Sequence, residues 1–438
     1  MSDKQFLQEN QRALEQLVKG DGDRGREKKQ RRRDLLLVVL FCVFLASMLL
    51  AFYLLPKEDF SIEEKRALAK APDFTLKAVM EGDFEEQTER YVSDHFPGRK
   101  FFVGLDAYYA LYSGRNGSNG IYRAKNGYLI NTPVDWNQEN FTRNMTHIRD
   151  FVRQTGLPGV MMLVPSAGYV EESLLPWNHD VYPDGQILDQ AQSLLEGSGI
   201  SWVDLANFFR EGIFYRGLGD EEYLSQDREN APAQKEGERE DEASLWDGLY
   251  YKTDHHWTST GAYLAYCKAA EHLNFSPIER MAFSISRYDG FYGTSYAKSA
   301  LWGEKPDHVE VWKYPAAVTV EIHDDNKQEV ITSNSMFFWE RLSEPDMYQV
   351  FLDGNHSLVK ITNHSQNQDK KLLVIKDSFG HAITPFLANH YKEVYMVDLR
   401  YYRQTAVSEI IEREGIDQIL VVYSVDNIVN DTNIPWLR

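Results

Sequence analysis

Residues Leu35 to Leu55 (LLLVVLFCVFLASMLLAFYLL) carry no charge over 21 consecutive positions. At 1.5 Å rise per residue, about 20 apolar residues in helix match the hydrocarbon core of a bilayer. The run is therefore read as a membrane-spanning helix. The apolar region of a signal peptide is shorter and ends in small residues before a cleavage site. Here Pro56-Lys57-Glu58-Asp59 follows directly, and Lys28-Lys29-Gln30-Arg31-Arg32-Arg33 precedes. An uncleaved anchor is expected, with the N-terminus held in the cytoplasm by the basic run. The expected organisation is a cytoplasmic tail (1–34), a single-pass anchor (35–55), a juxtamembrane segment (56–100) and an extracytoplasmic domain (101–438).

Charge narrows the function. The net charge is −19, whereas broad nucleic-acid binding needs a basic face to neutralise phosphates. No nucleic-acid partner is expected. Of the two cysteines, Cys42 lies in the apolar run and Cys267 in an expected helix, which argues against a disulfide framework.

Beyond residue 100 the pattern is α/β. Gly120 to Ile130 reads as a hairpin around Lys125-Asn126-Gly127, because Asn-Gly supplies the positive φ angles of a tight turn. Asn140 to Gly156 has helical spacing, with Phe141, Met145, Ile148, Phe151 and Val152 on one side. Short apolar runs follow at Val160–Val164, Trp202–Leu205, Leu372–Ile375, Val394–Val397 and Ile419–Tyr423. Helix-like segments lie between the late runs, at His381–His390 and Val407–Glu414. Continuous apolar strands alternating with helices imply a parallel sheet covered on both faces. Residues 305–365 alternate apolar and polar positions and read as a β-rich elaboration. Residues 219–244 are too polar to pack a core and read as an exposed, flexible acidic insertion.

Two separated stretches carry candidate chemistry. A serine hydroxyl needs a base within hydrogen-bonding reach, itself oriented by a third group. Ser378, in Lys376-Asp377-Ser378-Phe379-Gly380, sits where an apolar strand gives way to a helix. Open α/β sheets bind ligands there, and a helix start offers free N–H groups to an oxyanion. Taken alone, Ser378 is more simply read as a helix cap, where serine is common. In Thr253-Asp254-His255-His256-Trp257-Thr258, residues two apart in extended chain share a side. Asp254 and His256 would then adjoin, with His255 pointing away. The bland reading of that pair is a hydrogen bond bracing a loop. Thr258 is the expected cap of a helix over Ala262–Leu273, and Trp257 reads as packing.

The stretch TDHHWTSTGAYLAY (253–266) resembles the signature of the DHHW family of bacterial envelope proteins. DHFPGR (94–99), FYGTSYAKS (291–299), LDGNHSLVKITN (352–363) and KDSFG (376–380) extend the resemblance over about residues 60–438. The chain is similar to the SGNH-hydrolase-like polysaccharide O-acetyltransferases of the AlgJ/AlgX type. That resemblance implies a three-layer, flavodoxin-like α/β domain in the bacterial cell membrane, with Ser378 as nucleophile, His256 as base and Asp254 as orienting acid. Ordinary SGNH hydrolases place the serine early and Asp-x-x-His late. Here the order is permuted, as in the acetylation proteins. Asn355, Gly354 and Gly293 are candidates for the oxyanion residues, and equally an ordinary turn pair and a loop glycine.

The implied activity is transfer of an acyl group, acetyl in the family, to hydroxyls of an envelope polysaccharide or exopolysaccharide, with water as acceptor giving an esterase. The implied partners are a multispanning membrane-bound O-acyltransferase that relays the acyl group, the polysaccharide and the lipid bilayer. No cofactor and no metal are expected. Competing readings are a metal-dependent phosphoesterase, because Asp-His-His also occurs there, a non-catalytic carbohydrate-binding scaffold, and D-alanyl transfer of the DltD kind.

Overall fold

Strands buried on both faces expose alternate side chains to two different cores, and the apolar runs here do so. The computed structural model of the chain describes residues 3–217, 246, 248–323 and 330–437. The acidic stretch 219–244 lies outside the described residues. Eight strands form the central sheet: β1 (Gly159–Val164), β2 (Ser201–Trp202), β3 (Val318–His323), β4 (Ile331–Ser333), β5 (Leu358–Asn363), β6 (Lys371–Lys376), β7 (Glu393–Val397) and β8 (Gln418–Ser424). Their spatial order is β4-β3-β5-β7-β6-β8-β1-β2. The five strands from β7 to β2 pair in parallel, while β5, β3 and β4 extend the sheet antiparallel to their neighbours.

Along β6, Leu372 and Val374 enter one core, and Leu373 and Ile375 the other. Along β8, Leu420 and Val422 alternate in the same way with Ile419, Val421 and Tyr423. Each such aliphatic side chain contributes about 1.5–3 kcal/mol on burial, so a one-residue slip in register would be costly. Helices Ser259–Leu273 and Gly380–Leu387 contribute to the first core. Helices Gln138–Thr155, Asp184–Leu195 and Val407–Glu414 contribute to the second. The expected sheet covered on both faces is present. Residues 305–365 supply its antiparallel edge, with β3 buried at every second position.

One expected strand is shorter than its apolar run. Only Ser201–Trp202 is extended, and Leu205 already begins a helix. Asp204 accounts for the change, since its carboxylate accepts the Asn207 N–H at 3.2 Å and starts that helix. The Asn126-Gly127 hairpin forms as read, with both residues at positive φ and Ile121 opposite Asn131. Both cysteines are free.

The chain divides into two units: one comprises the residues up to Ser61 with Arg66–Phe102, the other Ile62–Lys65 and the chain beyond Val103. In the first, a helix runs Asp3–Leu54. Within its Lys29–Leu54 portion an 18-residue window has mean hydropathy 3.0, and this is the one helix among the described residues long and apolar enough to cross a membrane. A helix of that kind near an N-terminus fits an anchor and a signal sequence alike.

The DHFPGR motif also lies in this unit, and its role there is structural. Asp94 accepts both guanidinium nitrogens of Arg66 at 2.9 and 2.6 Å and the Ala69 N–H at 2.9 Å. The Arg66 bonds hold its carboxyl at about 2. A carboxyl depressed on folding stabilises above its unfolded value near pH 4, and that gain is lost as pH falls through the folded value. Protection of the Ala69 amide against hydrogen exchange, relative to its intrinsic rate, is expected to fall between about pH 4 and pH 2. Unchanged protection across that window would show that the carboxylate does not hold the turn.

Candidate active site

The loop carrying Asp254 and His256 is closed at its base. Tyr250 and Trp257 form an antiparallel bridge, and the Tyr251 N–H bonds to the His256 carbonyl at 3.1 Å. From below, the Asp307 carboxylate accepts the Lys252 and Thr253 N–H groups and the Thr253 hydroxyl, at 3.1, 2.7 and 2.6 Å. Thr258 then caps helix Ser259–Leu273 by accepting the Gly261 N–H. Trp257 is fully buried, as expected, and meets the Phe379 ring edge-on at 5.3 Å. Packing on one face of the sheet thus brings the starts of helices Ser259–Leu273 and Gly380–Leu387 together.

That meeting creates a continuous hydrogen-bond chain. Ser378 Oγ lies 2.7 Å from His256 Nε2, and His256 Nδ1 lies 2.6 Å from Asp254 Oδ1. Asp254 is acceptor-only when ionised, so Nδ1 carries the proton and Nε2 presents its lone pair to the serine. Burial alone would raise the Asp254 carboxyl. The imidazoles of His256 and His255, with the Thr294 N–H at 2.6 Å, instead hold it well below the usual carboxylate range. Tyr348 lies flat on His256 with ring centroids 4.1 Å apart, and its hydroxyl donates to the Ser378 carbonyl at 3.4 Å.

The turn bearing Ser378 is fixed by its neighbour. Asp377, fully buried, accepts the Phe379 N–H at 2.9 Å through one oxygen. Through the other it accepts the Ser424 N–H, the Ser424 hydroxyl and the Asn427 amide at 2.7 to 2.8 Å. The carboxyl ends of β6 and β8 are thereby tied together. Beneath the turn, buried Lys376 donates to His381 Nε2 at 2.6 Å and to Asp398 at 3.1 Å. Burial lowers the Lys376 ammonium and, with Lys376 itself, pushes His381 well down, so that imidazole stays neutral. Asp398 also takes Arg400, whose Nη2 reaches Asn355 Oδ1 at 3.1 Å.

Two expectations change. His255 does not point away. Its ring centroid is 3.9 Å from that of His256, and its Nδ1 meets Thr294 Oγ1 at 2.7 Å. The alternation of sides requires extended chain, and residues 252–256 bend instead. Gly293 is not an available oxyanion donor, because its N–H goes to Thr253 Oγ1 at 3.1 Å. Its missing side chain matters for space: a Cβ there would lie 2.2 Å from Asp254 Cβ. Gly293→Ala is expected to cost about 1–3 kcal/mol of stability. By displacing Asp254 it should also cost about 100-fold in activity, both readable from a urea midpoint and ester turnover on the same variant. Gly354 and Asn355 lie on a loop of positive φ angles, and among the described residues neither bonds to Ser378 or His256. Ser378's own backbone N–H has no acceptor among the described residues.

Thr294, Tyr348, Asp377 and Asn427 support the site, and residue-type reasoning did not single them out. Thr294 adjoins Gly293 in FYGTSYAKS and Asp377 adjoins Ser378. Only those two had a nearby signal.

Asp254, His255 and His256 bring three ligand-type atoms within 4.8 Å of one another. Both His256 nitrogens and both Asp254 oxygens already serve hydrogen bonds within the protein. A metal ion would have to displace them, so the donor set fits proton transfer better than metal binding.

The segment holding the loop, β3 to β7 and Ser378 has a family assignment. Residues 243–397 match the DHHW protein family. The chain is similar to a DHHW family protein from Eubacterium siraeum DSM 15702, at 20% identity and TM-score 0.56 over 73% of this chain and 95% of that one. It is similar at 18% identity and TM-score 0.56 to Bacillus cereus PatB1 with a sulfonyl adduct, over 73% and 98% of the two chains. These likenesses establish the shared α/β architecture. The O-acetyltransferase domain of Pseudomonas putida AlgJ matches at 12% identity and TM-score 0.40 over 71% and 93%. No curated protein matches the chain.

Proposed function

We propose that this DHHW-segment protein is a membrane-anchored, extracytoplasmic acyltransferase of SGNH-hydrolase-like type in permuted order, moving an acetyl group to polysaccharide hydroxyls. One observation carries the reading: the unbroken chain from Ser378 Oγ through His256 to Asp254. A serine, a base and an orienting carboxylate in that relation are the parts of two-step acyl transfer. The sulfonyl adduct of the similar PatB1 structure agrees with this class of chemistry.

Ser378 Oγ attacks the acyl carbonyl while His256 Nε2 takes its proton. The oxyanion forms beside the unengaged Ser378 N–H at the start of helix Gly380–Leu387, where a fixed donor stabilises developing charge. Collapse breaks the bond to the leaving group, which receives the proton from His256. A sugar hydroxyl then gives its proton to His256 and attacks the acyl-serine, and Ser378 leaves and is reprotonated. Three side chains and one backbone N–H complete the cycle, with no cofactor called on.

Leu35–Leu55 serves as the anchor in this reading, with Lys28 to Arg33 on the cytoplasmic side. An acyl donor made in the cytoplasm must then be relayed across the bilayer by a multispanning O-acyltransferase, since one helix forms no path. Intact-mass and peptide mass spectrometry after incubating the full chain with 4-nitrophenyl acetate is expected to find an acetyl group on Ser378. Acetylation elsewhere only, with turnover intact, overturns the assignment. Turnover abolished by excess EDTA and restored by a divalent ion would replace it with the metal reading.

A further inference from the structure

A narrow cleft opens beside the triad at the carboxyl rim of the sheet. Its lining includes Asn131, Ser166, His255, Phe379, Ser424 and Asp426. It lies where connections leave adjacent parallel strands in different directions: β6 leads to a helix of the first core, and β8 to the short helix Val425–Ile428 of the second. In open α/β sheets this is where ligands enter.

Most polar groups of the cleft are already engaged. Ser424 Oγ bonds to Asp377, and Ser166 Oγ to Asp184 at 2.5 Å. Two are open. The Thr294 hydroxyl donates to Asp254 Oδ2 at 3.0 Å, so at 2.7 Å from His255 Nδ1 it accepts. Nδ1 therefore carries the His255 proton, and Nε2 is a lone pair without a partner among the described residues. Burial and the adjacent His256 hold that imidazole at about 4, hence neutral. Asp426 is partly exposed and lies beside the Asn131 side chain. Its surroundings add the carboxyls of Asp184 and Asp377 and the ammonium of Lys298, and burial with the two carboxyls pushes it up to about 7. The mechanism above uses neither group.

We propose that His255 Nε2 and Asp426 form the acceptor subsite, holding a polyhydroxylated acceptor by the hydroxyls next to the one being acylated. Two open hydrogen-bond acceptors in a cleft whose apolar wall includes Leu129, Pro165 and Phe379 match a ligand that offers two donors besides the attacking hydroxyl. A run of three neighbouring hydroxyls does so, whereas the single hydroxyl of a simple alcohol attacks and leaves both acceptors unpaired. The inference rests on the acyl-serine reading and adds the chemical class that receives the group. In the step concerned, the attacking hydroxyl gives its proton to His256, its oxygen bonds the acyl carbon, and the Ser378 ester bond breaks. His255 and Asp426 hold neighbouring hydroxyls without changing protonation.

The test uses the full chain in detergent at about pH 8, where the Asp426 carboxyl is ionised, with 4-nitrophenyl acetate as donor, and glycerol or 1-propanol as competing acceptors. Nitrophenol release and acetylated product are both measured. Wild type is expected to favour glycerol over 1-propanol by about tenfold at equal concentration, the worth of one well-made hydrogen bond to a charged group. The ratio of glycerol transfer to hydrolysis should fall about tenfold in Asp426→Ala and in His255→Phe, while Asp426→Asn, which keeps one acceptor oxygen, recovers part of it. Equal use of the two alcohols by wild type overturns the subsite with no variant needed. An undiminished glycerol preference in both variants does the same. Absence of Ser378-dependent nitrophenol release is a separate outcome, because it removes the acyl-serine reading itself and this inference with it.

Discussion

Ser378→Ala is expected to lower turnover of 4-nitrophenyl acetate by about 10³-fold or more, within the range found when a triad nucleophile is removed. Stability should barely move. The serine hydroxyl is partly exposed and its one hydrogen bond in the site is to His256. A variant that folds with an unchanged urea midpoint and loses activity separates chemistry from packing. His256→Ala should cost about as much, and the double variant scarcely more, because the two act as a unit. Equal turnover by wild type and Ser378→Ala would end the case for this nucleophile.

Asp377→Ala is expected to produce the largest loss of stability, about 3–5 kcal/mol, from a urea midpoint at unchanged slope. The carboxylate is fully buried and receives four donors from three residues. Truncation leaves those donors facing a cavity, each costing about 1–3 kcal/mol less whatever water recovers. Activity should fall too, since the turn holding Ser378 loses its tie to β8. A loss below about 1 kcal/mol would mean that water replaces the carboxylate easily and that the turn is held from elsewhere.

Much of this was legible in the residues. The strands at 160–164, 372–375, 394–397 and 419–423 are short runs of aliphatic side chains, and burial on both faces demands that composition. The candidate site residues were legible for a different reason: Asp254, His256 and Ser378 are chemically distinctive types near a helix start. Their convergence was not legible, since 122 positions separate His256 from Ser378 and only packing on a common sheet face joins them. His255 was misplaced because a period-two argument was applied to bent chain. Gly293 stayed open between two roles because a glycine can serve by offering an N–H or by lacking a Cβ, and sequence does not distinguish the two. Tyr348 and the Lys376–Asp398–Arg400 chain come from distant positions with no local pattern to mark them.

The bridge between Tyr250 and Trp257, with Asp307 gripping the segment between them, has a kinetic meaning. His256, the proposed general base, is set in place before any donor arrives, so no ordering entropy is spent at the moment of reaction. Heating should therefore leave the rate constant climbing smoothly until the surrounding domain melts, with inactivation and unfolding sharing one midpoint.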